Sequence, residues 1–211
     1  DIVRLEALLF GQAGFLDAKF KETYPSVLRE EYHHLSKMHG LKKMEQHTWK
    51  FARLRPPGFP TIRIAQLAAL LNAHPGLYEI ISKERNYRQL ITAFSCEPSE
   101  YWTTHYHFDK PSGARTKKMG SDTIEMVMIN FIIPVLIMRA DLEGQEKYRS
   151  AAVKLLQELP PEKNTIVSGF LKLGISASTA FDTQALIELK SQFCRFKRCL
   201  ECRIGYHILK R

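Results

Sequence analysis

An all-α fold is what this sequence predicts: a multi-helix globular bundle of roughly eight to ten helices joined by irregular basic loops. Three observations point there. Apolar residues recur three and four positions apart in most segments, the spacing of one helix face. Little of the chain alternates apolar and polar residues with period two over a useful length. Proline and glycine fall mainly between the periodic segments, where helices start and stop. With 211 residues the chain can bury a sizeable core and is expected to form one domain. If it divides, the break is expected between 1–60 and 61–211.

The elements follow in order. Leu5, Leu8, Leu9, Phe15 and Leu16 suit one apolar helix face, weakened by Gly11 and Gly14. Pro25-Ser26 opens the next helix, with Leu28, Tyr32, Leu35 and Met38, and Gly40 sits where a helix end wants a left-handed residue. Residues 41–60 are irregular, broken by Pro56, Pro57, Gly58 and Pro60. Thr61 reads as the N-cap of a helix with Ile64, Leu67, Ala68 and Leu71. Two short helical patterns follow, around Leu77–Ile81 and Leu90–Phe94. Residues 96–120 are rich in aromatics and turn formers, with a short strand over Thr103–Phe108. Ser121 or Asp122 caps a long apolar helix over Thr123–Arg139, which Pro134 should kink or restart. Further helices are expected over 144–159, stopped by Pro160-Pro161, and over 166–173, closed by Gly174. The last is capped by Asp182 or Thr183 and runs through Phe193.

Composition excludes several classes. The apolar run Ile124–Met138 is shorter than the roughly 20 residues that cross a bilayer, and it contains Glu125 and Asn130. It is read as a buried core helix, with no membrane partner. Four cysteines, three of them bunched, do not form a secreted disulfide framework, so a reducing cytoplasm is expected. The chain begins at Asp1 with neither initiator Met nor signal-type segment. It is therefore expected to be a piece of something longer.

The formal net charge is +9, and it is concentrated. Lys42–Arg63 carries +5, Asp109–Lys118 +3 and Arg195–Arg211 +5, which leaves the rest at −4. Positive segments in an otherwise acidic chain favour a polyanion-binding surface; solvated basic loops are the plain alternative.

Several runs together resemble a known family. They are Arg53-Leu-Arg-Pro-Pro-Gly-Phe-Pro-Thr-Ile-Arg through Ala68, Ser99-Glu-Tyr-Trp-Thr-Thr-His-Tyr, Leu159-Pro-Pro-Glu-Lys-Asn, Asp182-Thr-Gln-Ala-Leu and Lys197-Arg-Cys-Leu-Glu-Cys-Arg-Ile-Gly. Over essentially its whole length the chain resembles the C-terminal part of an uncharacterised bacterial family, found mainly in Bacteroidetes and catalogued as a domain of unknown function. The resemblance implies an additional N-terminal region as a partner, with loosely nuclease-like motifs. A nucleic-acid-holding role would fit beside it.

Three sites are candidates. Cys194, Cys199 and Cys202 lie among Arg195, Lys197, Arg198 and Arg203. Thiolates at this spacing, with His207 or Cys96 as a fourth ligand, suit zinc or an iron–sulfur cluster. The segment is similar to the iron–sulfur loop at the C-terminus of helix-hairpin-helix DNA glycosylases. Those use four cysteines with a wider first spacing, and this chain lacks their glycine-rich hairpin. Cysteines packed as small hydrophobes are the plain alternative.

The second site is the segment around Lys50, Arg53, Arg55 and Arg63. Arginine forks and a helix start suit phosphate, and Trp49, Phe51 and Phe59 interleave as stacking platforms do in single-strand binders. Lys117 and Lys118 in a following loop, and Arg198 near the end, would extend the nucleic-acid contact. A clasp in which these aromatics pack on the helices is the alternative. The third site is Glu100, Trp102, His105 and His107, with both histidines on one face of a strand, able to bind a metal or move protons. A nucleic-acid-binding module of a larger protein is the first functional expectation. A protein-interaction domain supporting the N-terminal region is the second, and a metal-dependent enzyme the third. No catalytic residue can be named.

Overall fold

The computed structural model describes residues 1–82 and 86–209. About two thirds of the chain (64%) is helical, as expected for an all-α fold. The helices are α1 (Ile2–Gln12), α2 (Thr23–His39), α3 (Pro60–Ala73), α4 (Leu77–Ser82), α5 (Tyr87–Phe94) and α6 (Ser121–Glu143). They continue with α7 (Glu146–Glu158), α8 (Thr165–Lys172), α9 (Ala180–Glu188) and α10 (Arg203–Leu209). One small hairpin pairs β1 (His105–His107) antiparallel with β2 (Lys110–Pro111), inside the expected strand segment.

The chain forms two compact units: Asp1–Lys83 with Ile91–Ile124, and Glu84–Leu90 with Glu125–Arg211. The 60/61 break falls inside the first unit, because α3 packs against α1.

In the first unit α1 lies between α2 and α3. Its buried face is Glu6, Ala7, Phe10 and Gly11, whereas Leu5, Leu8 and Leu9 are only half-buried. The expected leucine stripe is therefore flanking, and an aromatic core takes the centre. Phe10 stacks on Trp102 at 5.0 Å and meets Phe108 edge-on. Leu28, Ile62 and Ala65 close the cluster. Gly11 is required here, since a Cβ would sit 2.1 Å from the Tyr32 ring of α2. As expected, α2 ends on a left-handed Gly40, φ 60°.

Thr61 does not cap α3. Pro60 occupies the first turn with Phe59 at the cap, a position that suits proline's fixed φ and missing N–H. Thr61 is buried instead, and its hydroxyl donates to the Tyr106 carbonyl of β1. The hairpin turn holds Asp109 at φ 56°. Asp109 uses its carboxylate to accept the backbone N–H groups of Lys21 and Glu22 at the start of α2.

In the second unit the later half of α6 packs along α7. Ile132, Leu136 and Ala140 are buried on one helix and Tyr148, Ala152 and Leu155 on the other. The helix is longer than the apolar run itself, so by length and composition alone it could cross a membrane (mean hydropathy 1.7). It buries one face only. Met126, Phe131, Met138 and Leu142 are exposed along the other.

Pro134 falls in the first turn of the α-helical stretch Ile133–Glu143, with which the helix resumes, one of the two expected outcomes. A π turn over Met128–Ile132 precedes it, where the widened backbone accommodates a residue that cannot donate to the preceding turn. The start of α9 is fixed by Thr179, not Thr183. The Thr179 hydroxyl accepts from Asp182 N–H, and Asp182 accepts from Thr179 N–H in return, a reciprocal capping box.

Candidate functional site

Two of the three basic segments come together, and the aromatics between the cations bring them there. The Trp49 indole donates to the Ala13 carbonyl at 2.8 Å and packs on Phe15. Phe51 meets Phe15 edge-on at 5.9 Å and Phe59 at 5.3 Å. His107 of β1 completes a triad, 4.9 Å from Phe51 and 4.7 Å from Phe59. The segment carrying Lys50, Arg53 and Arg55 is thereby fastened to the hairpin carrying Lys110. The backbone between the cations is shaped by tight turns. Arg53 stands at φ 65°, Leu54 N–H donates to Phe51 O, and Gly58 N–H donates to Arg55 O.

The chain after the hairpin runs beside the first turns of α3. The Arg63 guanidinium donates to Gln66 Oε1 at 2.9 Å, and Gln66 Nε2 donates to the Lys117 carbonyl at 2.8 Å. Arg115 N–H and the Lys117 ammonium both donate to the Thr103 carbonyl. Lys50, Arg53, Arg55, Lys110, Arg115 and Lys118 are exposed. Among the described residues none of these six forms an ion pair.

Lys117 departs from the expectation of a solvent-reaching cation. It is 5% exposed, and its ammonium lies 4.2 Å over the Tyr106 ring. Its long stem packs while the charge is absorbed by a carbonyl and a π face. Arg63 is likewise half-buried and committed to Gln66.

Burial pushes the Arg63, Lys117 and His107 pKa values down; Arg115 lowers Lys117 further, and Lys110 does the same to His107. Burial leads at all three, and the Glu97 carboxylate draws Lys117 partly back up.

The other expected sites are arranged differently. Among the described residues no three His, Cys, Asp or Glu side chains converge on a metal position. Cys194 and Cys199 are exposed and Cys202 half-buried. The chain turns through Arg195–Cys202, Lys197 holding φ 54°, and α10 seats Gly205 on the Cys199 backbone. Arg198 pairs with Glu201 and belongs to the second unit. Lys210 and Arg211, which close the third basic segment, lie outside the described residues.

The histidines of β1 have separate partners. His105 is buried, stacks on Tyr101 at 4.0 Å and meets Glu22 Oε1 through Nε2 at 3.1 Å. Tyr101 donates to the other Glu22 oxygen and accepts from Asp109 N–H. Burial pushes the Tyr101 phenol up, and the hydrogen bond to Glu22 adds to it. Glu100 is exposed, and Trp102 is fully buried. This cluster anchors the start of α2.

One polar group escaped the sequence reading. Glu6 is fully buried, with Oε2 accepting from the Tyr24 hydroxyl at 2.8 Å and the Trp102 indole at 3.0 Å. Among the described residues its Oε1 has no partner. The legible signal was its place: Val3, Glu6, Phe10 and Ala13 fall on one helical face.

Comparison with known proteins adds a family and no activity. Residues 1–165 match the family described as "Protein of unknown function (DUF2851)". No curated protein matches, and no solved structure does.

Proposed function

The chain belongs to that family, whose description names no activity, and from its own surface we propose that it is a nucleic-acid-binding module that holds the phosphate backbone. One observation carries this reading. The Phe51–Phe59–His107 triad joins two basic segments, so that Lys50, Arg53 and Arg55 stand beside a hairpin that adds Lys110. A surface with several exposed cations and no carboxylate partners among the described residues suits a polyanion. Phosphate contacts position a nucleic acid without reading its bases, so recognition is independent of sequence. The arginines offer paired donors to phosphate oxygens.

The test is binding of labelled oligonucleotides of unrelated sequence, followed as salt is raised. Arg53→Ala and Arg55→Ala each weaken binding to all sequences alike and reduce the salt slope by about 1. Affinity that stays constant between 50 and 200 mM salt would remove the proposal, because counterion release makes phosphate binding salt-dependent.

A further inference from the structure

We infer that the ligand of this basic face is a duplex, gripped by its phosphates, and that an unpaired strand is the weaker partner. The inference rests on the nucleic-acid reading above and narrows it. It starts from what the aromatic side chains are doing. A single-strand binder needs ring faces free to take bases. Here the interleaved rings are engaged with one another. Phe51 touches Phe15, Phe59 and His107, and Phe59 touches Phe51 and His107. Trp49 is fixed at its nitrogen by the Ala13 carbonyl and packs at a tilt on Phe15; like Phe51 and Phe59 it is half-buried, its packed side against the core. Phe15 is itself part of the buried core. Turning any of these rings toward a base would take it from that packing and uncover the core beneath.

What remains for the ligand is charge on a rigid frame. Lys50, Arg53 and Arg55 come from one segment, and Lys110, Arg115 and Lys118 from the other; all six are exposed. The turns at Phe51–Leu54 and Arg55–Gly58 fix the backbone under the first three. Hydrogen bonds from Arg115 N–H and the Lys117 ammonium to the Thr103 carbonyl hold the second segment. A preorganised array of cations gains most from the partner with the highest and most regular charge density. A duplex carries one charge per about 1.7 Å of axis, against about 3.4 Å for one strand. Each contact also releases more counterion from a duplex, contributing about −0.9 to the salt slope compared with about −0.7 on a single strand.

The experiment uses the whole 211-residue chain, with a fluorescently labelled duplex of about 20 base pairs and, separately, its labelled strand alone. Anisotropy titrations run from 50 to 200 mM NaCl. The expected result is duplex binding roughly tenfold tighter than strand binding, with a duplex slope near −5 for about six contacts. Arg53→Ala should reduce that slope by about 1, while Phe51→Leu and Phe59→Leu, which loosen the joint under the cations, should lower duplex and strand affinity by the same factor; loss of stacking would fall on the strand alone. Equal or tighter binding of the strand overturns this inference and leaves the nucleic-acid reading standing. Absence of salt-sensitive binding to either form overturns both. A strand affinity that falls in Phe51→Leu while duplex affinity holds, with its helical circular dichroism unchanged, also overturns the inference, because it would show a base stacked on that ring.

Discussion

Glu6 is the residue on which the first unit's chemistry turns. Its carboxyl is buried in an aromatic core, and burial pushes its pKa above the ordinary carboxylate range, although hydrogen bonds from Trp102, Ser99 and Tyr24 oppose the shift. A carboxyl with a raised folded pKa favours the fold in its neutral form. The stabilisation is complete below the unfolded pKa and is lost as pH rises toward the folded one. Glu6→Gln removes the titration while keeping an acceptor for Tyr24 and Trp102. Thermal unfolding from pH 4 to pH 8 should therefore show the variant gaining on the wild type as pH rises. The gain amounts to about 1.4 kcal/mol for each pH unit separating the folded and unfolded values. Parallel curves for the two proteins would show that Glu6 is not the group responsible. Tyr24 follows the same logic: burial and the neighbouring carboxyl push its phenol upward, so it remains a donor to Glu6 throughout the physiological range. No carboxylate-to-phenolate switch operates there.

At the scale of elements, close approach sets the architecture. α1 meets α2 where Gly11 faces the Tyr32 ring, and Gln12 donates to the Tyr32 hydroxyl at 2.9 Å. Gly11→Ala would force the two helices apart. The expected cost is about 3 kcal/mol, seen as a fall in Tm, with helical circular dichroism retained below the transition. A Tm within a degree of the wild type would show that the ring swings aside instead. In the second unit the capping box at the start of α9 is a smaller lever. Thr179→Ala leaves the Asp182 N–H without its acceptor and should cost about 1 kcal/mol, measured by urea unfolding. The π turn before Pro134 shows a different accommodation: periodicity marked a long apolar helix there and proline an interruption. The chain keeps both by widening the backbone by one residue over a single turn.

For the whole molecule, charge distribution separates the two units. The first carries the two joined basic segments, and the third, with Arg198 tied to Glu201, belongs to the second. Arg198→Ala should therefore leave oligonucleotide affinity within about twofold, while Arg53→Ala lowers it at every sequence. An equal loss in both variants would assign the second unit to the same contact. Much of this was legible beforehand. Helical periodicity gave the all-α class, Gly40 gave the end of α2, and the charge runs gave the basic segments, because each is a local property of the chain. Other features were not legible. Thr61 looked like a cap yet serves the hairpin; Lys117 looked exposed yet is buried; and the cysteines looked like ligands yet do not converge. The buried face of α1 passed through Glu6 in place of the leucines. For three of these a partner distant in sequence decides: Tyr106 for Thr61, Thr103 and Tyr106 for Lys117, Trp102 and Tyr24 for Glu6. The sequence by itself determined which residues are cationic, aromatic or helical. Tertiary structure alone decided which cations reach solvent and which rings are already occupied, because burial and hydrogen-bond satisfaction depend on neighbours that only folding brings together.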